Sequence, residues 1–145
     1  VWKGTWRCIG ADGVLQEIFE AMVIVRFIAQ NGRVRLHQTN HYPSRGGSPQ
    51  TIESHGEVEG DRIRFANARA QGWSRTLPDD PNGLGSVLMI TFSDGSTLHE
   101  IVTNSPDGRY RHRSAQFTRD GHILRRTLID EEKVTDDWVS YGPPS

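Results

Sequence analysis

VWKGTWRCIGADGV (residues 1–14) opens the chain and decides its reading. Trp2, Gly4, Trp6 and Cys8 fall on alternate positions, so an extended strand sets all four on one face. Asp12-Gly13 then turns the chain, because Asp-Gly accepts the positive φ angles of a tight hairpin at little cost. The same punctuation recurs at Asn31-Gly32, Arg45-Gly46-Gly47, Gly60-Asp61, Asn82-Gly83, Asp94-Gly95, Asp107-Gly108 and Asp120-Gly121. Between these turns lie runs rich in Val, Ile, Thr, Phe and Tyr, several with period two: Val34-Leu36, Ile63-Phe65 and Leu88-Ile90-Phe92.

This pattern predicts strands near 2–10, 14–29, 33–43, 50–58, 62–67, 86–93, 96–104, 109–117 and 122–131, with a further strand over 68–75. No segment carries a helical stripe with caps. The expectation is an all-β chain forming an up-and-down antiparallel barrel of about eight to ten strands, since closure removes the edges an open sheet must protect. The barrel is expected to be a single domain over residues 1–134. Residues 135–145, with Trp138, Tyr141 and two prolines, form a tail. The loop 76–85, with Pro78 and Pro81, is the longest unpatterned connection and has the position of a lid.

Composition narrows the function. A length of 145 residues suits one domain. The net charge of −1 gives no electrostatic footprint for nucleic acid or an anionic membrane. Hydrophobic residues make up only 34 %, so some positions with a core-like pattern are polar. The lone Cys8 excludes an internal disulfide and a cysteine-based zinc site, and points to a reduced, cytoplasmic compartment. No apolar run is long enough to span a membrane as a helix, and no signal peptide is expected.

Two-residue hairpins fix which residues face each other. Around Asp12-Gly13, Trp6 is expected opposite Phe19, Gly4 opposite Ala21 and Trp2 opposite Val23. Around Asn31-Gly32, Val23 meets Asn40, Val25 meets Gln38 and Phe27 meets Leu36. The last three hairpins place Leu88, Ile90, Phe92, His99, Ile101, Tyr110, His112, Ser114, Gln116, Arg125, Thr127 and Ile129 on one face. Glu100, Arg109, Arg111, Arg113, Arg126 and Asp130 fall on the other, which as a charged face is assigned to solvent. The interior is then rich in polar groups, and a dry core would be penalised for each unpaired one. A barrel of this size can instead hold water and one small ligand.

Trp2-x-Gly4-x-Trp6 followed by hairpins throughout resembles the calycin superfamily of lipocalins and fatty-acid-binding proteins. More narrowly, WKGTWRCIGADGVLQE, LHQTNHY and RYRHRSAQFTRDGHILRRTLIDEE resemble a bacterial, largely cyanobacterial, calycin-like family of unknown function. The resemblance implies that Gly4-Thr5-Trp6 closes the barrel floor and that a late arginine packs across Trp6, with Arg125 the candidate. It also implies carriers, bilin-handling proteins and cofactor-free cyclases or isomerases as relatives. The helix that lipocalins carry after the barrel has no counterpart in the sequence.

His37-x-x-x-His41 has helical zinc spacing, but on a strand its members lie about 13 Å apart. Both are expected outside, as surface residues. His99 and His112 share a face without a third ligand, so neither a metal nor a cofactor is expected. Ser114 lacks a glycine-flanked elbow, and no inward Asp orients His99. General acid–base chemistry suits the inward set best, with His99, His112, Tyr42 and Glu17 as candidate proton donors and acceptors. Gln38, Asn40, Tyr110, Ser114, Gln116, Arg125, Trp73 and Phe65 are the candidate ligand contacts. Two functions fit. One is a cofactor-independent cyclase, isomerase or lyase of a small organic, natural-product-like substrate. The other is a non-catalytic carrier of a hydrophobic or bilin-like tetrapyrrole ligand. The expected partner is that small molecule, with no nucleic acid and no membrane span, in a monomer or homodimer.

Overall fold

The computed structural model describes residues 1–142. Ten antiparallel strands follow in chain order: β1 (Trp2–Gly10), β2 (Leu15–Gln30), β3 (Arg33–Arg45), β4 (Ser48–Glu59), β5 (Arg62–Ala66), β6 (Ala70–Thr76), β7 (Gly85–Phe92), β8 (Thr97–Asn104), β9 (Tyr110–Arg119) and β10 (His122–Lys133). Each pairs with the next, and β1 pairs with β10, so the up-and-down barrel is closed. The expected strand over 68–75 is β6. A single 3-10 turn (Val139–Tyr141) follows β10, and residues 143–145, with both tail prolines, lie outside the described residues. No helix among the described residues is long and apolar enough to cross a membrane.

Turn geometry sets which face of each strand looks inward. Asn31 and Gly32 both take positive φ, 52° and 73°, giving the two-residue hairpin expected from Asn-Gly, with Gln30 opposite Arg33. The Asp12-Gly13 turn is one residue longer than expected. The Gly10 N–H donates to the Val14 carbonyl, so Ala11, Asp12 and Gly13 all lie in the loop. A bulge at Cys8/Ile9 then restores the phase, and Trp6 faces Phe19, Gly4 faces Ala21 and Trp2 faces Val23, as expected.

The Asp94-Gly95 turn is also three residues long. The Phe92 N–H donates to the Ser96 carbonyl, and the Asp94 carboxylate accepts from the Ser96 N–H at 2.9 Å and its hydroxyl at 2.6 Å. Here no bulge compensates. Ile90 pairs with Leu98 and Leu88 with Glu100, one residue out of the expected phase. A one-residue slip exchanges the faces of a strand. Leu98, Glu100 and Val102 therefore face inward on β8, and Arg111, Arg113, Ala115 and Phe117 on β9. A bulge between Ile123 and Arg125 then brings β10 back into phase, so Thr127 and Ile129 are buried as expected.

The apolar core fills the barrel between β1, β2, β3 and β10. Trp6, Cys8, Phe19, Ala21, Val23, Tyr42 and Ile129 are buried together. Trp6 stacks on Phe19 at 6.1 Å between centroids, and Tyr42 meets Phe19 edge-on at 5.4 Å. Burying a side chain of this class contributes about 1.5–3 kcal/mol. Gly4 has a separate cause. A Cβ there would stand 2.0 Å from the Asp130 carbonyl oxygen and 2.7 Å from Glu131 Cα, so only glycine lets β10 come this close.

Two features open the barrel. Phe27 faces inward yet is 55 % exposed, which marks the end beside Asn31-Gly32 as a mouth. The β4–β5 ladder joins only Glu57–Glu59 to Arg62–Arg64, so β4 from Ser48 to Gly56 is paired on its β3 side alone. The loop 76–85 is a compact turn tied by Asp80, whose carboxylate accepts from the Gly85 N–H at 2.7 Å and the Asn82 N–H at 3.1 Å.

Candidate functional site

Packing of the core on the β1–β3 side leaves a cavity of about 520 Å³ towards β5–β9. Its apolar wall comes from Val25, Leu36, Ile63, Phe65, Leu88, Ile90, Leu98 and Val102, all set inward by the strand alternation. Gln38, Asn40 and Ser54 line it as well. Along β3 the Gln38 amide donates to Asn40 Oδ1 at 2.9 Å, and the Asn40 amide donates to Tyr42 Oη at 2.9 Å. That ladder satisfies polar groups an apolar barrel would penalise. Ser54 and His55 on one lip and Phe65 and Asn67 on the other carry the cavity lining into the β4–β5 gap.

The opposite pole is ionic. Glu100 on β8, Arg111 and Arg113 on β9 and Glu131 on β10 point into the barrel. Arg113 donates to both Glu100 oxygens, at 2.9 and 3.1 Å, and its third nitrogen lies 3.6 Å from Glu131 Oε1. Arg111 Nε donates to Glu131 Oε2. Two carboxylates and two guanidiniums give the network no net charge. Burial on its own would lower the Arg113 pKa, but the Glu100 and Glu131 carboxylates outweigh it and hold the guanidinium above its usual range. For Arg111 burial dominates over its bond to Glu131, and its pKa is lowered. Arg111 also lies over the Trp2 ring, 4.5 Å from its centroid, and its Nη2 is buried without a hydrogen-bond partner. Arg111, Arg113 and Glu100 all line the cavity.

The predicted residues divide. Gln38, Asn40 and Phe65 line the cavity, and Tyr42 sits in the core beside it. Glu17 lies across from Cys8, with one oxygen 3.8 Å from Arg45, which itself covers Phe19 and Tyr42. The slip at Asp94-Gly95 overturns the inward placement of the β8 and β9 residues: His99, Tyr110, His112, Ser114 and Gln116 are exposed on the outer face. His112 bonds Asp130 Oδ1 there at 2.8 Å. Trp73 also faces outward, with Arg75 stacked on it at 5.1 Å, because Gly72 and Ser74 take the inward positions of β6. Arg125 does not reach Trp6. It stacks on Phe117 at 4.2 Å, and the guanidinium over Trp6 is that of Arg113, at 5.8 Å. His37 does face outward but is buried, 3 % exposed, rather than a surface residue.

Glu100, Arg111, Arg113 and Glu131 were assigned to no site by the sequence. One signal could have found them: Glu131 continues the inward alternation of Thr127 and Ile129, and an inward carboxylate needs an inward cation.

No protein-family model matches the sequence, and no curated protein matches it. Solved structures do. A DUF3598-family protein of unknown function from Nostoc punctiforme superposes with a TM-score of 0.69 at 22 % identity, over 92 % of this chain but 46 % of that one. This chain thus spans about half that protein's length. The S-type phycobiliprotein lyase CPES from Guillardia theta superposes with a TM-score of 0.66 at 13 % identity, over 94 % of this chain and 88 % of the lyase. Both likenesses are ones of fold.

Proposed function

We propose that the barrel binds one elongated, mainly apolar small molecule bearing a carboxylate, of the linear-tetrapyrrole (bilin-like) class. The observation that carries this reading is Arg111, which lines the cavity and whose Nη2 is buried in the wall without a hydrogen-bond partner. A buried unpaired donor is costly, and a small turn of the guanidinium towards a ligand oxygen would relieve it. The volume of about 520 Å³ lies within the range of small-molecule pockets, and the apolar wall with a few convergent polar groups has their usual composition. Gln38, Asn40 and Ser54 offer hydrogen bonds to polar groups along the ligand. The fold shared with a phycobiliprotein lyase supports the same ligand class.

The catalytic alternative, a cyclase, isomerase or lyase, draws on fewer groups than the sequence suggested. With His99 and His112 outside, its inward acid–base candidates are Tyr42, Glu17 and the newly placed Glu100. Binding therefore comes first.

The test uses biliverdin and its dimethyl ester as probes, followed by absorbance and by quenching of tryptophan fluorescence. The acid is expected to bind with a stoichiometry of one and to quench part of the tryptophan emission, that of Trp2 at the cavity wall. The ester, and the acid with Arg111→Gln, should bind about 10- to 100-fold more weakly, the worth of one charge-assisted hydrogen bond. Equal affinity for acid and ester, or no binding of either, overturns the reading. Recovery of chemically altered probe would favour the catalytic alternative.

A further inference from the structure

The outer wall carries a second cluster that the barrel site does not use. His37 and His55 are direct cross-strand partners on β3 and β4, their ring centroids 4.6 Å apart. Glu53, two residues before His55, lies on the same outer face, and one of its oxygens is 3.6 Å from His37 Nε2. One ligand atom from each of the three falls within 4.8 Å of the others. His37 Nε2 is buried and makes no hydrogen bond.

The tautomer follows from Arg26, the β2 partner of His37. Arg26 Nη1 lies 3.1 Å from His37 Nδ1, and a guanidinium can only donate. Nδ1 therefore holds the lone pair, and the imidazole proton is on Nε2, beside Glu53. A proton placed between an imidazole and a carboxylate, with a second imidazole alongside, stands where a cation can replace it.

We propose that His37, His55 and Glu53 bind one divalent transition ion of the zinc type on the outer wall of the barrel. Two imidazoles and a carboxylate are the donor set such ions prefer. Bonded at about 2.1 Å, tetrahedral ligands stand about 3.4 Å apart, so the three groups close by about 1.4 Å from their widest spacing. The exposed His55 side chain can supply that movement; buried His37 stays fixed. On coordination at Nε2 the imidazole proton moves to Nδ1, and the Arg26 guanidinium, whose Nη1 holds both Nδ1 and Thr39 Oγ1, must turn away from the ring. Three protein ligands leave a further position open, and both histidines line a groove of about 450 Å³. At the open position the ion takes water or an anionic oxygen ligand.

The experiment is a Zn²⁺ titration of untagged protein by calorimetry, with Co²⁺ absorption reporting the coordination. One ion per chain is expected, with a visible Co²⁺ band. His55→Gln and Glu53→Gln should each lose at least the 10- to 100-fold that removing even an outer-sphere partner costs. His41→Gln and His112→Gln should leave binding unchanged. No binding by the wild type, wild-type affinity in His55→Gln, or an equal loss in His112→Gln each overturns the site. His55 is exposed, so its variant is expected to fold, and melting without metal checks this.

Discussion

Glu100→Gln tests whether the charged pole is one coupled unit. Glu100 is 4 % exposed and accepts two bonds from Arg113. Removing its charge leaves Arg113 with Glu131 Oε1, at 3.6 Å, as its carboxylate partner. Breaking a buried ion pair costs about 3–5 kcal/mol. The glutamine carbonyl still accepts one bond, so the low end, about 3 kcal/mol, is expected. The unfolding entropy is about 2.1 cal/mol/K per residue, or about 0.3 kcal/mol/K for 145 residues, and the melting temperature should fall by about 10 °C. Arg113→Met leaves two buried carboxylates facing one arginine and should cost a similar amount. The double variant is the decisive one. It leaves Glu131 paired with Arg111, with no surplus charge, and methionine fills the arginine stem's volume. Its melting temperature should lie no lower than that of either single variant. A double variant destabilised by the sum of the two, about 20 °C, would refute the coupling and show that each charge is solvated on its own.

Gly4→Ala drives a Cβ into the Asp130 carbonyl, a backbone atom 2.0 Å away that cannot step aside. A loss of about 1–3 kcal/mol or more is expected in urea unfolding, with a changed Trp6 environment in near-UV dichroism. Asp80 accepts backbone N–H bonds from Gly85 and Asn82, which hold its pKa below the ordinary 3.8. A depressed carboxylate contributes stability above its unfolded value, and loses it as pH falls through its folded value. Asp80→Asn should therefore melt below the wild type at neutral pH, and the gap should close in acid below 3.8.

Much of the fold was legible because its signals are local. Asn31-Gly32 and Gly60-Asp61 each form the two-residue hairpin their composition implies, and the alternation of Trp2, Gly4 and Trp6 placed the core of β1–β3 correctly. The inward set of β8 and β9 was not legible, because Asp-Gly serves both two- and three-residue loops. The bond from Ser96 to Asp94 selects the longer one, and that side-chain choice exchanges the faces of two strands. The bulge at Leu124 hides the error, since β10 reads correctly either way. The charged residues of β9 compounded it. Arg111-x-Arg113 reads as a solvated face until partners of opposite charge are found at Glu100 and Glu131. The His37–His55 pair was missed for another reason: it joins residues on separate strands, whereas the sequence offered only the His37–His41 spacing.

The opening stretch also links core to cavity. Trp6 fills the core against Phe19 and Tyr42, while Trp2, four residues earlier on the same face, lies beneath Arg111 at the cavity wall. Gly4 stands between them, and its cross-strand partner is Glu131. Without a side chain there, β10 approaches closely and the carboxylate keeps its place beside Arg111 and Arg113. A barrel selected for stability alone would fill that space with apolar side chains, since replacing a buried ion cluster by well-packed hydrophobes is often neutral or stabilising. Four charges kept out of water beside an apolar cavity, one of them with a nitrogen still unpartnered, are better explained by a ligand than by the fold.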